Sequence, residues 1–346
     1  MSVKYEIGDY EFRVSDFFPK EFFDEITDIR VNDPDLVLRE AKARRRREKL
    51  TKDGKLVILA TDHPARRVTR IRDDPLIMGD RYEYLGRVIR VLMNEEFDGV
   101  MGTTDFIEDL IIVNYIIKQH GGKSLLDDRV LIGSVNRGGF EGCIFEMDDA
   151  PTSFTPESIK EMNMDGGKFM YRLDPNDQAS GKTVRYCVQV INRLNELGLY
   201  SFVEPLSVEK EGSKYKVKKD YATIIKDVSA AQALGDSSRR IWLKIPYCEN
   251  FERVARATTL PILMLGGPAR EDPTGTIEEF ARGMRAGPNV RGVLVGRNVT
   301  FPYRDDPYAV SLAVSGIVHR GYDVDEAIRC LMENRGRDMD FLYSLL

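Results

Sequence analysis

The sequence predicts an α/β fold, a (β/α)8 TIM barrel preceded by an N-terminal helical extension. Three observations carry this expectation. Eight short apolar runs recur between Lys55 and Val295. Polar or amphipathic segments of helical length separate them. The chain has 346 residues, and one barrel takes about 250 residues and more with insertions, so a barrel plus an extension fits better than two full domains.

The runs are Lys55–Thr61, Asp98–Gly102, Arg129–Val135, Lys168–Arg172, Ser201–Leu206, Arg240–Ile245, Pro261–Leu265 and Gly292–Val295. Between them lie helical patterns such as Arg81–Asn94, Thr155–Met162, Lys182–Leu197, Tyr221–Leu234 and Ile277–Ala286. Strands alternating with helices imply parallel pairing through right-handed crossovers. Eight of them predict closure, with an open doubly wound sheet as the alternative. The domain division expected is an extension over 1–50 and a barrel with C-terminal helices over 51–346. Pro34–Leu50 reads as a helix, with Asp33 or Asp35 near its start. The run Arg44, Arg45, Arg46, Arg47 inside it reads as a solvated face, with a phosphate or subunit contact as the other reading. Glu209–Lys219 is polar and basic and reads as an inserted loop or hairpin.

With 42% hydrophobic and 31% charged residues, the composition suits a soluble globular protein with a large core. The formal net charge of -5 gives no basic excess for nucleic acid or an anionic membrane. Four separated cysteines, Cys143, Cys187, Cys248 and Cys330, form no C-x-x-C pair. With only three histidines, a structural zinc site is not expected. The opening residues, which include Lys4, Glu6, Asp9, Glu11 and Arg13, hold no signal-like apolar run, and no stretch has the length of a membrane span. A cytoplasmic location is expected.

Chemistry in a barrel sits at the carboxyl ends of the strands. Lys244 lies in Ile241-Trp242-Leu243-Lys244-Ile245-Pro246. Side chains alternate across a strand, so if Leu243 and Ile245 face the helices, Lys244 points into the barrel. Burial there lowers an amine's pKa toward the neutral, nucleophilic form. The competing reading is a lysine paired with a buried carboxylate for structure alone. Asp62, Lys168 and Glu204 also stand in or at the end of apolar runs. Two lysines and two carboxylates converging in one barrel can neutralise one another and exchange protons, which aldol cleavage through an imine requires.

Gly266 and Gly267 follow the seventh run, and Gly296 and Arg297 follow the eighth. The loops after these strands commonly form a phosphate site in this fold. Glycines admit backbone N–H groups to the oxygens and Arg297 offers a bidentate cation. His63, Arg137 and Tyr171 are further candidates for substrate contact, each with a structural alternative: a hydrogen-bonded histidine, a surface arginine and a packed tyrosine.

Taken in order, Asp62-His63, Lys168-Phe169-Met170-Tyr171, Val203-Glu204-Pro205-Leu206, Lys244-Ile245-Pro246, Gly266-Gly267-Pro268 and Gly296-Arg297 resemble the motifs of class I aldolases. That group includes archaeal-type fructose-bisphosphate, tagatose-bisphosphate, sulfofructose-phosphate and deoxyribose-phosphate aldolases. The resemblance runs from about Lys55 to Val299. Pro64 departs from it, standing where the archaeal type usually has glycine, and no Thr-Ser-Thr-Gly follows Lys244, which disfavours a deoxyribose-phosphate substrate.

The resemblance implies a metal-independent, homo-oligomeric enzyme without a cofactor, cleaving a phosphorylated ketose to release dihydroxyacetone phosphate. Lys244 would be the Schiff-base lysine. Glu204 and Lys168 would transfer protons, and Asp62 would orient or deprotonate the reacting hydroxyl. The Arg137 loop matches no motif of the group; a substrate with two phosphates would want a second cation site, for which Arg137 and Arg172 are the candidates. The alternative is a barrel that binds a sugar phosphate without chemistry, which needs the Gly-Arg site but not Lys244.

Overall fold

The computed structural model describes residues 3–212 and 214–346. Eight parallel strands close into a barrel. They are β1 (Leu56–Ala60), β2 (Gly99–Gly102), β3 (Val130–Ser134), β4 (Gly166–Leu173), β5 (Tyr200–Glu211), β7 (Ile241–Pro246), β8 (Ile262–Leu265) and β9 (Val290–Val295). A short strand, β6 (Lys214–Val217), folds back antiparallel on the end of β5. Around the barrel the order is β4-β3-β2-β1-β9-β8-β7-β5, and the β4–β5 pairing closes the ring. The polar segment expected as an insertion is this β5–β6 hairpin, with Val208 opposite Val217 and Glu211 opposite Lys214.

Alternation along each strand sorts the apolar residues into two layers. Leu56, Ile58, Met101, Ile132, Phe202, Trp242, Leu263 and Leu294 fill the barrel interior. Val57, Leu59, Val100, Leu131, Phe169, Val203, Leu243 and Ile245 face the surrounding helices. The interior layer is a packed plug beneath the upper cavity.

Two helices precede the barrel, α1 (Lys20–Asn32) and α2 (Leu36–Ala43). Phe12, Val14, Phe17, Phe18, Phe22 and Ile26 from this region are buried in the outer layer. Helix α3 (Arg81–Leu92) follows β1 and α4 (Thr104–Gln119) follows β2. The helix expected over Pro34–Leu50 ends at Ala43, and the arginine run lies beyond it in extended chain and turns.

That run is not a solvated face. Arg44 is buried and donates to the carbonyls of Arg129 (2.8 Å) and Asn163 (2.6 Å). Arg46 pairs with Asp165 (2.6 Å) and Arg47 with Asp98 (2.8 Å); Arg45 alone lies outside, on Asp128. The two carboxylates in turn accept the backbone N–H groups of Leu131 and Val57 at the strand starts (2.8 and 2.9 Å). Groups that the barrel would leave unpaired at its amino end are therefore satisfied, and each buried carboxylate receives a cation.

No helix among the described residues is long and apolar enough to cross a membrane. The four cysteines are free thiols.

Candidate functional site

The carboxyl end of the barrel opens into a cavity of about 1230 Å³. Three adjacent strands aim charged side chains into its base. Lys168 comes from β4, Glu204 from β5 and Lys244 from β7; Asp62, two residues past β1, comes from the opposite wall. The register explains their meeting. Phe202 stands beside Lys168 on one side and Trp242 on the other, which puts Glu204 and Lys244 level, one pleat above Lys168.

Glu204 Oε2 accepts from Lys244 Nζ and lies at the same 2.9 Å from Lys168 Nζ. Lys168 Nζ also donates to Asp62 Oδ2 (2.9 Å). All four side chains are buried. A single charge at such depth would be strongly unfavourable, and removing one partner of a buried pair costs about 3–5 kcal/mol. Two carboxylates against two lysines balance the cluster.

The two lysines differ. Burial works against the Lys168 ammonium, yet Asp62 and Glu204 together outweigh it and hold the group protonated, above its ordinary range. Among the described residues Lys244 forms an ion pair with Glu204 alone. Burial, with the neighbouring Lys168 charge, carries its pKa below the ordinary lysine value despite the attraction of Glu204 and Asp62. Burial opposes the Asp62 and Glu204 carboxylates too, but the lysines more than offset it and keep both ionised. One amine is thus biased toward its free-base form beside one held as an acid.

The glycine–arginine segments line the other side of the cavity: Gly266, Gly267, Gly296 and Arg297 all border it. Gly267 has φ +71°, the left-handed region that glycine tolerates, and a Cβ there would meet only Lys219 Nζ, at 3.8 Å. A Cβ on Gly296 would lie 2.7 Å from His63 Cε1 and 2.8 Å from the Ala60 carbonyl oxygen, so only glycine lets these loops close. His63 lines the cavity next to Asp62. Burial and the charges of Arg297, Lys244 and Arg66 push its pKa well below the ordinary value, against the pull of Asp62.

Two expected contacts stand elsewhere. Tyr171 is on the outer face of β4, in the layer between sheet and helices, and does not border the cavity. The alternation that turns Lys168, Met170 and Arg172 inward turns it outward. Arg137 is spent on the loops, donating to Ala65 O (3.0 Å), Thr152 Oγ1 and Thr152 O (both 3.1 Å). Arg172 reaches the cavity but is committed to Glu146, through Oε1 at 2.5 Å and the backbone oxygen at 2.7 Å.

A residue that no motif singles out is Arg66. Pro64 opens a one-turn 3-10 helix, Pro64–Arg66, whose fixed φ suits that first position and brings Arg66 to the cavity wall. Its Nε, like that of Arg297, is buried without a hydrogen-bond partner among the described residues. The departure at Pro64 thus places a second guanidinium near the first; only position, late in the loop after a strand, could have pointed to it. Lys214, Lys216, Lys218 and Lys219 of the hairpin region also border the cavity. Among the described residues no three histidine, cysteine, aspartate or glutamate side chains are grouped to hold a metal ion.

A family model described as Cgl0159-like matches residues 54–315. The crystal structure of Cgl0159 from Corynebacterium glutamicum is 33% identical and superposes with a TM-score of 0.81, covering 88% of this chain and 99% of that one. An uncharacterised aldolase of Saccharolobus solfataricus is 29% identical over 161 residues, which are 45% of this chain; the match spans 55% of that protein, little more than half its length. An archaeal fructose 1,6-bisphosphate aldolase, 19% identical, superposes with a TM-score of 0.53 over 82% of this chain and 100% of its own, a likeness of fold. By the extent of the family match and the likeness to the corynebacterial structure, the chain belongs to the Cgl0159-like family.

Proposed function

We propose that this protein is a metal-independent class I aldolase that reversibly cleaves a phosphorylated ketose through a Schiff base on Lys244, releasing dihydroxyacetone phosphate. The observation that carries the reading is the asymmetric lysine pair on one carboxylate oxygen: Lys244 disposed to lose its proton and Lys168 held as an acid, both 2.9 Å from Glu204 Oε2. The likeness to a protein named as an aldolase, and to the fold of a Schiff-base-forming fructose-1,6-bisphosphate aldolase, supports the same reading.

The neutral Lys244 amine adds to the ketone carbon, and the carbonyl oxygen takes a proton from Lys168 or through Glu204. Glu204 then receives the amine's surplus proton. Glu204 returns that proton to the new hydroxyl, which leaves as water, and the iminium forms. The iminium draws the electron pair of the adjacent carbon–carbon bond as the neighbouring hydroxyl is deprotonated. Asp62 serves that step, by orientation or as the base. Gly266, Gly267, Gly296 and Arg297 hold the phosphate through backbone N–H groups and one guanidinium. An iminium polarises the carbon as a Lewis-acidic metal would, so the reaction runs without one.

The test is a panel of ketose phosphates: fructose bisphosphate, 5-keto-2-deoxygluconate phosphate and a sulfo-sugar phosphate. Cleavage of at least one, undiminished in a chelator and abolished in Lys244→Met, is expected. Failure to cleave any would sink the substrate class. Full binding and biological activity in Lys244→Met would favour a barrel that binds sugar phosphates without chemistry.

A further inference from the structure

One corner of the cavity remains without a role. His63 follows Asp62 directly, and its Nδ1 is buried, 3.8 Å from Asp62 Oδ1, with no hydrogen-bond partner among the described residues. Its Cε1 is covered by Gly296. The side chain is nonetheless 16% exposed and borders the cavity. With Nδ1 buried and Cε1 covered, the Nε2 side of the ring meets the open space. A carboxylate behind an imidazole whose far nitrogen faces substrate is the arrangement of an oriented base. The 3.8 Å separation is long for a hydrogen bond, and such contacts commonly tighten when substrate fills an empty site.

We propose that His63 Nε2 takes the hydroxyl proton during carbon–carbon cleavage and returns it to the enamine carbon, with Asp62 as the positioning residue that fixes the Nδ1–H tautomer. The proposal rests on the Schiff-base reading of Lys244.

The step balances without a co-reactant. The hydroxyl proton passes to Nε2 and the oxygen's electron pair closes the aldehyde carbonyl. The carbon–carbon pair becomes the enamine double bond, and the iminium π pair becomes the lone pair on the Lys244 nitrogen. After the aldehyde leaves, Nε2–H protonates the enamine carbon, which restores the iminium and a neutral His63. Water then releases the second product.

Charge favours this route. In the empty site Arg297, Lys244 and Arg66 face the ring together with Asp62, and with burial they keep it neutral and able to accept. A phosphate on Arg297 offsets part of that positive field and raises the ring's basicity when substrate is seated. During cleavage the positive charge moves from the Lys244 nitrogen to the ring, so the site never gathers two new charges. Asp62 is the poorer base, because the Lys168 ammonium holds its Oδ2 at 2.9 Å.

Deuterium exchange at C3 of dihydroxyacetone phosphate in D2O, followed by NMR, isolates the enamine proton step from cleavage. Borohydride trapping of the same ligand on Lys244, run in parallel, reports imine formation. His63→Gln and His63→Asn are expected to trap as the parent does while exchange falls about 100-fold or more. Asp62→Asn also disturbs Lys168, so it should slow trapping in part and exchange by a larger factor, with the exchange pH profile displaced. Exchange at the parent rate in trapping-competent His63 variants would overturn the proposal and leave the Schiff-base reading intact. Folded His63 variants that no longer trap would also overturn it, moving His63 to imine formation. A parent protein that does not trap would remove the Schiff-base reading and this proposal with it.

Discussion

At the scale of single residues, the two lysines share one oxygen and differ in their other neighbours. Among the described residues Lys168 pairs with Asp62 as well as Glu204, whereas Lys244 pairs with Glu204 alone. Removing the Lys168 charge has a defined sign. Lys168 depresses the Lys244 pKa, so Lys168→Met raises it, and Glu204 pairing with Lys244 alone raises it further. The acid limb of imine formation should move to higher pH, with the rate on that limb reduced about tenfold for each pKa unit gained. Stopped-flow rates of imine formation against pH check this; an unmoved limb would mean that the lysines do not communicate. The four charged positions were legible because a charge in an apolar strand is rare and alternation gives its direction. The same alternation turns Tyr171 away from the face of Lys168 and Met170, so its packed alternative was readable. Arg66 and the Glu146–Arg172 pair were not readable, because loop positions carry no periodicity and their partners come from distant segments.

At the scale of elements, all eight barrel strands coincide with apolar runs, since both faces of a parallel strand are covered. Helix α4 shows the limit of periodicity: Ile107, Leu110, Ile111, Ile112, Val113, Ile116 and Ile117 are all buried, and so little polar face remains that the amphipathic pattern fades. The arginine run misled for a different reason. Charge runs usually face water, but here the strand starts present buried carboxylates that only tertiary structure brings to Arg46 and Arg47. His319 completes that end, 2.9 Å from Asp53 through Nδ1 and 3.0 Å from Asp98 through Nε2. Burial opposes its charge, but the two carboxylates prevail and raise its pKa above the ordinary histidine value. A folded value above the unfolded one, near 6.5, gives a stabilisation that is complete below the unfolded value and fades as pH rises through the folded one. His319→Gln should therefore lower the melting temperature more at about pH 6 than at about pH 9. An equal loss at both would mean that the ring acts by packing alone.

At the scale of the whole molecule, the segments before and after the barrel meet at Asp305 and Asp306. Asp306 takes a bidentate pair from Arg90 of α3 (2.7 and 2.9 Å), with both side chains fully buried. Asp305 takes one from Arg335 (both contacts 2.8 Å) and accepts from the Tyr5 hydroxyl (2.7 Å). Arg90 also donates to the Arg337 and Asp338 carbonyls of the C-terminal segment. Arg90→Met leaves a buried carboxylate without its cation, and a loss of about 3–5 kcal/mol in urea unfolding is expected. The double variant Arg90→Met/Asp306→Leu should recover part of that loss, because it removes the stranded charge. A loss below about 1 kcal/mol for the single variant would show that water reaches Asp306.

The barrel, the buried quartet and the glycine–arginine wall all serve one claim, that Lys244 attacks the substrate carbonyl. Borohydride reduction in the presence of dihydroxyacetone phosphate, followed by peptide mass spectrometry, tests it most directly, because Lys168 lies one carboxylate oxygen away as an internal control. A covalent mass increase is expected on the peptide carrying Lys244 and none on that carrying Lys168. Label on Lys168, or on neither lysine, would contradict it.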